Sequence, residues 1–338
     1  MDKIKIGVIG CGYWGPNLIR NFIELPGSTV IVVSDLKEER LAHIKNSYPQ
    51  VQTTQNYKDL FSMGLDAVVV ATPPATHYDI ATDCLRNGLH VLVEKPLALN
   101  SAHSQAMTDL AKEQSKILMV GHTFIYNPAV QYLRKLIKDG ELGQIYYVDT
   151  VRVNLGLFQS GLNTLWDLAP HDISILSYIL DKLPQTVSAQ GLSCVFEGVH
   201  DIVYMNIIYP GNILAHVHVS WLDPCKVRRI TVVGSKKMVV YDDIEATERI
   251  KIYDKRIDAP PYTQSFQDFK CFYHYGDVVI PNISGTEPLK VECDHFINCI
   301  VKGEQPKSNG TSGVEVIRVL EAAQISLMNG NKKEEILG

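Results

Sequence analysis

The sequence predicts an α/β chain in two parts: an N-terminal Rossmann-type, doubly wound parallel sheet, then an α+β domain with a large, mostly antiparallel open sheet. Three observations predict it. Short apolar runs alternate with helical patterns through residue 122, and a G-x-G-x-x-G turn joins the first run to the first helix. After Pro128 the runs lengthen and take a two-residue period. At 338 residues the chain exceeds the usual size of a single domain, and the change of texture divides it into 1–122 and 123–338.

In the first part the strands are "KIGVIG" (5–10), "VIVVSD" (30–35), "DAVVVAT" (66–72), "HVLVEKP" (90–96) and "ILMVGH" (117–122). Near-continuous apolar strands of this kind are buried on both faces, as in a parallel sheet. Helical patterns such as "EERLAHIKNSY" and "HYDIATDCLRNG" lie between them and make the crossovers.

In the second part "AVQYLRKLIKDGELG" is a helix closed by glycine. The runs 144–154, 201–210, 213–222 and 228–243 then alternate as strands with unlike faces do. "YPGN" and "VGSKK" read as hairpin turns, and "TSGVEVIRVLEAAQISLMNG" reads as a closing amphipathic helix. One face of this sheet is expected to lack a helix layer. That points to a homodimer or homotetramer burying it, with His216 and His218 on the shared surface.

Composition excludes several classes. Lys and Arg number 32 against 37 Asp and Glu, a net charge of −5, which argues against a nucleic-acid partner. No apolar run approaches the roughly 20 residues of a membrane-spanning helix. The N-terminus enters a strand at once, so a signal peptide is not expected and the chain reads as cytoplasmic. The seven cysteines are scattered without a CxxC pair, as for reduced thiols. Cys293, His295 and Cys299 have helical spacing, and no metal site is expected.

"GVIGCGYWG" puts Gly10, Gly12 and Gly15 directly after the first strand and before a helix. Gly10 permits the tight turn, Gly12 lets a pyrophosphate approach the backbone, and Gly15 permits close packing of helix on strand. The phosphates would lie at the positive end of that helix. Asp35 ends the second strand 20 residues beyond Gly15, where a carboxylate accepts hydrogen bonds from ribose hydroxyls and repels a 2′-phosphate. The expected cofactor is therefore NAD.

"ATPPATHYDIATDCLRNGLHVLVEKPLA", read with that fingerprint, closely resembles the glucose–fructose oxidoreductase and inositol dehydrogenase family over nearly the whole chain. The resemblance implies that the lysine of the E-K-P motif, here Lys95 between Glu94 and Pro96, sits by the nicotinamide and the reacting sugar carbon. The expected cofactor set is Gly10, Gly12, Tyr13, Trp14, Gly15, Asp35, Thr72, Pro73, His77, Glu94 and Lys95. For His77 a capping role stays open beside cofactor contact.

The family also carries an aspartate and a histidine four residues apart at a helix start in the second domain, matched here by Asp167 and His171. Trp166 stands where the family often has glycine. The expected chemistry is oxidation of a sugar alcohol. His171, kept neutral by a helix N-terminus, takes the hydroxyl proton. Asp167 orients the ring, Pro170 helps set the first turn, and Asp172 complements the helix dipole. Lys95 stabilises alkoxide-like charge on the same oxygen. Substrate contacts are expected from Lys95, His122, Tyr126, Asn127, Arg152, Trp166, Asp167 and His171. For His122, Tyr126 and Asn127 simple packing stays open, and for Arg152 a solvated strand position.

Within the family, "GCGYWGPNLIRNF", "YNPAVQYLRKLI" and "LWDLAPHDISIL" look most like dehydrogenases of nucleotide-linked sugars. These act on the 3-hydroxyl of UDP-N-acetylglucosamine or its uronic acid, in surface-polysaccharide or lipid A synthesis. A free-sugar or inositol dehydrogenase is the alternative, and a non-catalytic NAD-sensing regulator is the alternative from another class.

Overall fold

The apolar run at the start of the chain forms β1 (Ile4–Ile9), whose last four residues are buried. α1 (Gly15–Glu24), β2 (Ser28–Ser34), α2 (Glu38–Ser47) and the short β3 (Gln52–Thr54) follow. Then come β4 (Ala67–Val70), α3 (His77–Arg86), β5 (His90–Glu94), α4 (Ser101–Glu113) and β6 (Leu118–Gly121). The computed structural model describes residues 3–156, 158, 161–258, 272–283 and 285–337.

All six strands are parallel, in the order β3-β2-β1-β4-β5-β6. The order reverses beside β1, the topological switch point at which doubly wound sheets bind ligands, outside the carboxyl ends of their strands. β4 and β6 are buried along their whole lengths, as a sheet covered on both faces requires.

The second part comprises α5 (Pro128–Lys138), β7 (Ile145–Val153), α6 (Thr164–Leu180), β8 (Thr186–Leu192) and β9 (Ile202–Tyr209). β10 (Ile213–Ser220), β11 (Val227–Gly234), β12 (Met238–Asp242), β13 (Ile250–Asp258) and β14 (Phe272–Val279) continue it. The chain closes with α7 (Pro288–Lys302), α8 (Gly310–Met328) and β15 (Glu334–Glu335). The second sheet runs β14-β13-β12-β11-β7-β10-β9-β8-β15; β7 and β10 pair parallel, and the other neighbours pair antiparallel.

α6 packs on β7, β9 and β10, over the face that buries Val203, Met205, Ala215, Val217 and Val219. The alternate residues Tyr204 and Leu214 stand exposed, as the two-residue period dictates. On that face Tyr204 stacks on His218 at 4.2 Å between ring centroids, and His216 Nδ1 lies 2.9 Å from Asn206 Oδ1.

Two compact units result: residues 1–127 with 286–318, and residues 128–285 with 319–338. The sequence reading assigns the whole of 123–338 to the second domain; the structure returns 123–127 and 286–318 to the first. The reason is packing. In that first unit, Phe296 of α7 meets Phe22 of α1 edge-on at 6.4 Å, and both rings are fully buried. Arg20 pairs with Glu287 at 2.6 Å and Lys290 with Glu24 at 3.0 Å. Exposed pairs of this kind contribute about 0–1 kcal/mol each, whereas burying a phenylalanine contributes about 1.5–3 kcal/mol. The aromatic contact therefore dominates. No helix among the described residues is long and apolar enough to cross a membrane, and no described cluster of His, Cys, Asp and Glu has the makings of a metal site.

Candidate active site

The glycine turn is built as its spacing requires. Gly10 has φ +99°, and a Cβ on it would lie 2.6 Å from the Ala71 carbonyl oxygen. A Cβ on Gly15 would collide with the Gly10 carbonyl oxygen. Neither position admits a side chain. A Cβ on Gly12, by contrast, would have only Arg40 Nη1 within 4 Å, at 3.9 Å. The backbone there is open to a bulky group, and Gly15 and Pro16 start α1 directly beyond it. This cradle fits a dinucleotide pyrophosphate. Tyr13 and Trp14 flank it, exposed and edge to face at 5.6 Å.

Asp35, almost fully buried, braces the same turn. Its Oδ2 accepts from the Cys11 N–H at 2.7 Å and from Arg40 Nη1 at 3.3 Å, and its Oδ1 accepts from the Lys37 N–H at 2.9 Å. Arg40 is a residue that sequence reasoning missed. Its only signal is an arginine five positions after the acidic end of β2.

His77 opens α3, and its ring is buried rather than presented to a ligand. Nδ1 lies 2.8 Å from the Pro96 carbonyl oxygen and Nε2 lies 2.8 Å from that of Thr72. It caps nothing with its side chain; it bridges the turn after β4 to the turn after β5. The Thr76 hydroxyl donates to the Pro73 carbonyl oxygen at 2.8 Å, and Thr72 Oγ1 lies 2.8 Å from Thr76 Oγ1. Burial lowers the His77 pKa, opposed by its two carbonyl partners and assisted by Lys95.

Lys95, partly buried, directly follows β5. Glu94 is turned inward, with its Oε2 3.3 Å from the Lys95 N–H, and burial raises its pKa to about 7 against the pull of Lys95. Beneath it lies a second buried carboxyl, Glu292 of α7. The Thr123 hydroxyl donates to Glu292 Oε2 at 2.7 Å, and Oε1 has no hydrogen-bond partner. Burial, and then Glu94, hold the Glu292 carboxyl well above the usual carboxylate range. Glu292 was invisible in the sequence because it interrupts an ordinary amphipathic helix 198 residues from Glu94.

His122, Tyr126 and Asn127, expected at the substrate, are all buried. Neither ring nitrogen of His122 has a hydrogen-bond partner, and burial, reinforced by Lys95, drives its pKa to about 3. Tyr126 is fully buried with its hydroxyl 2.9 Å from Ser308 Oγ, so it packs the core.

In the second unit α6 begins at Thr164, capped by Asn163 Oδ1 accepting from the Trp166 N–H at 3.1 Å. Pro170 therefore lies inside the helix and sets no first turn, and His171 stands two turns in, away from the positive terminus. The helix-terminus argument for a neutral imidazole does not hold. The four-residue spacing still puts Asp167 and His171 on one face. Asp167 Oδ2 accepts from Trp221 Nε1 at 3.1 Å, a partner the sequence did not reveal. Trp166 is partly exposed on the first turn of α6.

Arg152 is also a correction. Its Nε donates to Asp172 Oδ2 at 2.7 Å and its Nη2 to Oδ1 at 3.2 Å, with both side chains buried. The fork assigned to a substrate anion is committed to Asp172, and Asp172 is a core ion-pair partner rather than a dipole complement.

A parallel sheet with an open glycine turn, an acidic end to β2 and a lysine at the end of β5 define a dinucleotide-dependent oxidoreductase. The family models agree: residues 4–122 match "Oxidoreductase family, NAD-binding Rossmann fold" and residues 130–240 match "GFO/IDH/MocA C-terminal domain". The chain belongs to the Gfo/Idh/MocA family of NAD-dependent oxidoreductases, whose members include sugar and polyol dehydrogenases. It is 25% identical to myo-inositol 2-dehydrogenase of Thermotoga maritima, over 99% of this chain and 100% of that one. It is 23% identical to UDP-N-acetylglucosamine 3-dehydrogenase of Acidithiobacillus ferrooxidans, over 94% and 95%. The fold is shared with GenD2 from gentamicin A biosynthesis in complex with NAD, at a TM-score of 0.84 and 22% identity, over 100% and 97% of the two chains.

Proposed function

We propose that this enzyme oxidises the 3-hydroxyl of a nucleotide-linked sugar, UDP-N-acetylglucosamine or its uronic acid, with NAD as acceptor. The observation that carries the reading is the motif set of the sequence: the glycine turn, Lys95 in E-K-P, and Asp167 with His171 in "LWDLAPHDISIL". A likeness to UDP-N-acetylglucosamine 3-dehydrogenase over 94% of the chain supports it.

Bound NAD supplies the hydride acceptor. In this reading the exposed backbone at Gly12 takes the pyrophosphate, and Asp35 takes the ribose hydroxyls with lone pairs left beside its three donors. His171 removes the hydroxyl proton through a ring nitrogen, and Asp167 on the same helix face stabilises the imidazolium that results. Lys95 donates to the substrate oxygen and stabilises the negative charge that develops there. Trp166 borders the sugar. The exposed sheet face bearing Tyr204, Leu214, His216 and His218 is the surface through which copies of the chain associate.

Whole-length likeness to myo-inositol 2-dehydrogenase favours a second reading, oxidation of a cyclic polyol. Absorbance at 340 nm with NAD and, in turn, UDP-N-acetylglucosamine, its uronic acid, myo-inositol, scyllo-inositol and glucose separates the two. NADH from a UDP-sugar alone supports the first reading. NADH from an inositol alone overturns it.

A further inference from the structure

The His77 ring is fully buried and lies between two backbone carbonyls, that of Thr72 after β4 and that of Pro96 after β5, each at 2.8 Å. Carbonyl oxygens only accept, so each contact at that distance calls for an N–H, and both ring nitrogens donate only when both carry protons. Burial and Lys95 oppose that charge while the carbonyls favour it. Even with one proton, the ring fills the space between the two turns and holds one of them.

What the ring joins gives it meaning. Thr72 is part of the backbone on which the glycine turn rests: a Cβ on Gly10 would lie 2.9 Å from the Thr72 nitrogen. Pro96 directly follows Lys95. We infer that His77 is a positioning residue that ties the glycine turn, through Thr72, to the Lys95–Pro96 turn and so fixes where the Lys95 ammonium stands. It touches neither cofactor nor substrate. The inference rests on reading Lys95 as the lysine that handles the substrate oxygen.

The test reads Lys95 directly, without turnover. Competitive acetylation of the intact chain, with peptides quantified by mass spectrometry across pH, compares Lys95 in the parent and in His77→Ala. Exposed Lys112 and Lys135 serve as internal references. The expected result is a several-fold change in Lys95 labelling with the references unmoved. Should His77→Ala not fold, His77→Gln, which can still donate to one carbonyl, carries the same comparison with a smaller change. Unchanged Lys95 labelling in a folded variant overturns the inference. Turnover then separates the two ideas. A misplacement of about 1 Å costs about 10²-fold in rate, so His77→Ala slows the enzyme by that order, and it adds no further loss in a Lys95→Met background. Independent, multiplying losses contradict action through Lys95. Full turnover in Lys95→Met alone overturns the reading of Lys95 and leaves the labelling result to judge the clamp.

Discussion

Arg152 and Asp172 form a buried, two-bond ion pair, Nε to Oδ2 at 2.7 Å and Nη2 to Oδ1 at 3.2 Å. It fastens β7 to α6 one residue from His171. Removing one partner of a buried pair costs about 3–5 kcal/mol, whereas an apolar replacement of both is often neutral. Asp172→Ala is therefore expected to lower the unfolding free energy by about that amount in urea titrations. Arg152→Met combined with Asp172→Leu is expected to recover most of it. A folded Asp172→Ala with parent-like stability would contradict the pairing.

Glu94 and His122 give stability opposite slopes in pH. Glu94 rises from 4.5 to about 7, so the folded chain holds its proton longer than the unfolded one. Its stabilising contribution is complete below 4.5 and is lost as pH climbs to 7. His122 falls from 6.5 to about 3, so its contribution is complete above 6.5 and is lost as pH drops to 3. Between 4.5 and 6.5 the two oppose each other. Relative to the parent, Glu94→Gln is expected to remove a decline between pH 4.5 and 7, and His122→Asn to remove a climb between pH 3 and 6.5. Thermal melts across pH decide it; identical profiles in the two variants would sink the assignment.

The three glycines separate by what a methyl group would meet. Gly15→Ala drives a Cβ into the Gly10 carbonyl oxygen and is expected to cost about 1–3 kcal/mol of stability. Gly12→Ala meets only Arg40 Nη1 and is expected to melt like the parent. Its penalty falls on NAD, whose Kd, measured by fluorescence titration, should rise about tenfold, a loss of about 1.4 kcal/mol. A Gly12→Ala variant that binds NAD normally would remove the pyrophosphate from that turn.

The sequence makes the first sheet legible because each strand is a short apolar run bounded by a turn, and because Gly10, Gly12 and Gly15 occupy unlike environments that their spacing already separates. β3 escapes notice, since "QTT" has no apolar run to mark it. α6 is read too short because Pro170 looks like a first-turn proline, although proline inside a helix removes a hydrogen bond and is usually excluded. The Asn163 cap marks the true start. Arg152 and Asp172, Asp167 and Trp221, and Glu292 beneath Glu94 escape for one reason: each joins residues far apart in the chain, and no local period records such a meeting. The expected pocket residues His122, Tyr126 and Asn127 lie at a strand end, as ligand-binding residues do, but strand-end position does not distinguish a side chain facing a ligand from one facing the core.

Under the proposed function, hydride leaves C3 of a UDP-linked sugar while Lys95 and His171 handle its hydroxyl. UDP-N-acetylglucosamine deuterated at C3, incubated with the enzyme and NAD, tests it most directly. Deuterium is expected in the reduced nicotinamide, with turnover slowed by the heavier isotope and abolished in Lys95→Met and His171→Asn. Reduced nicotinamide without deuterium, or full turnover in either variant, would contradict it.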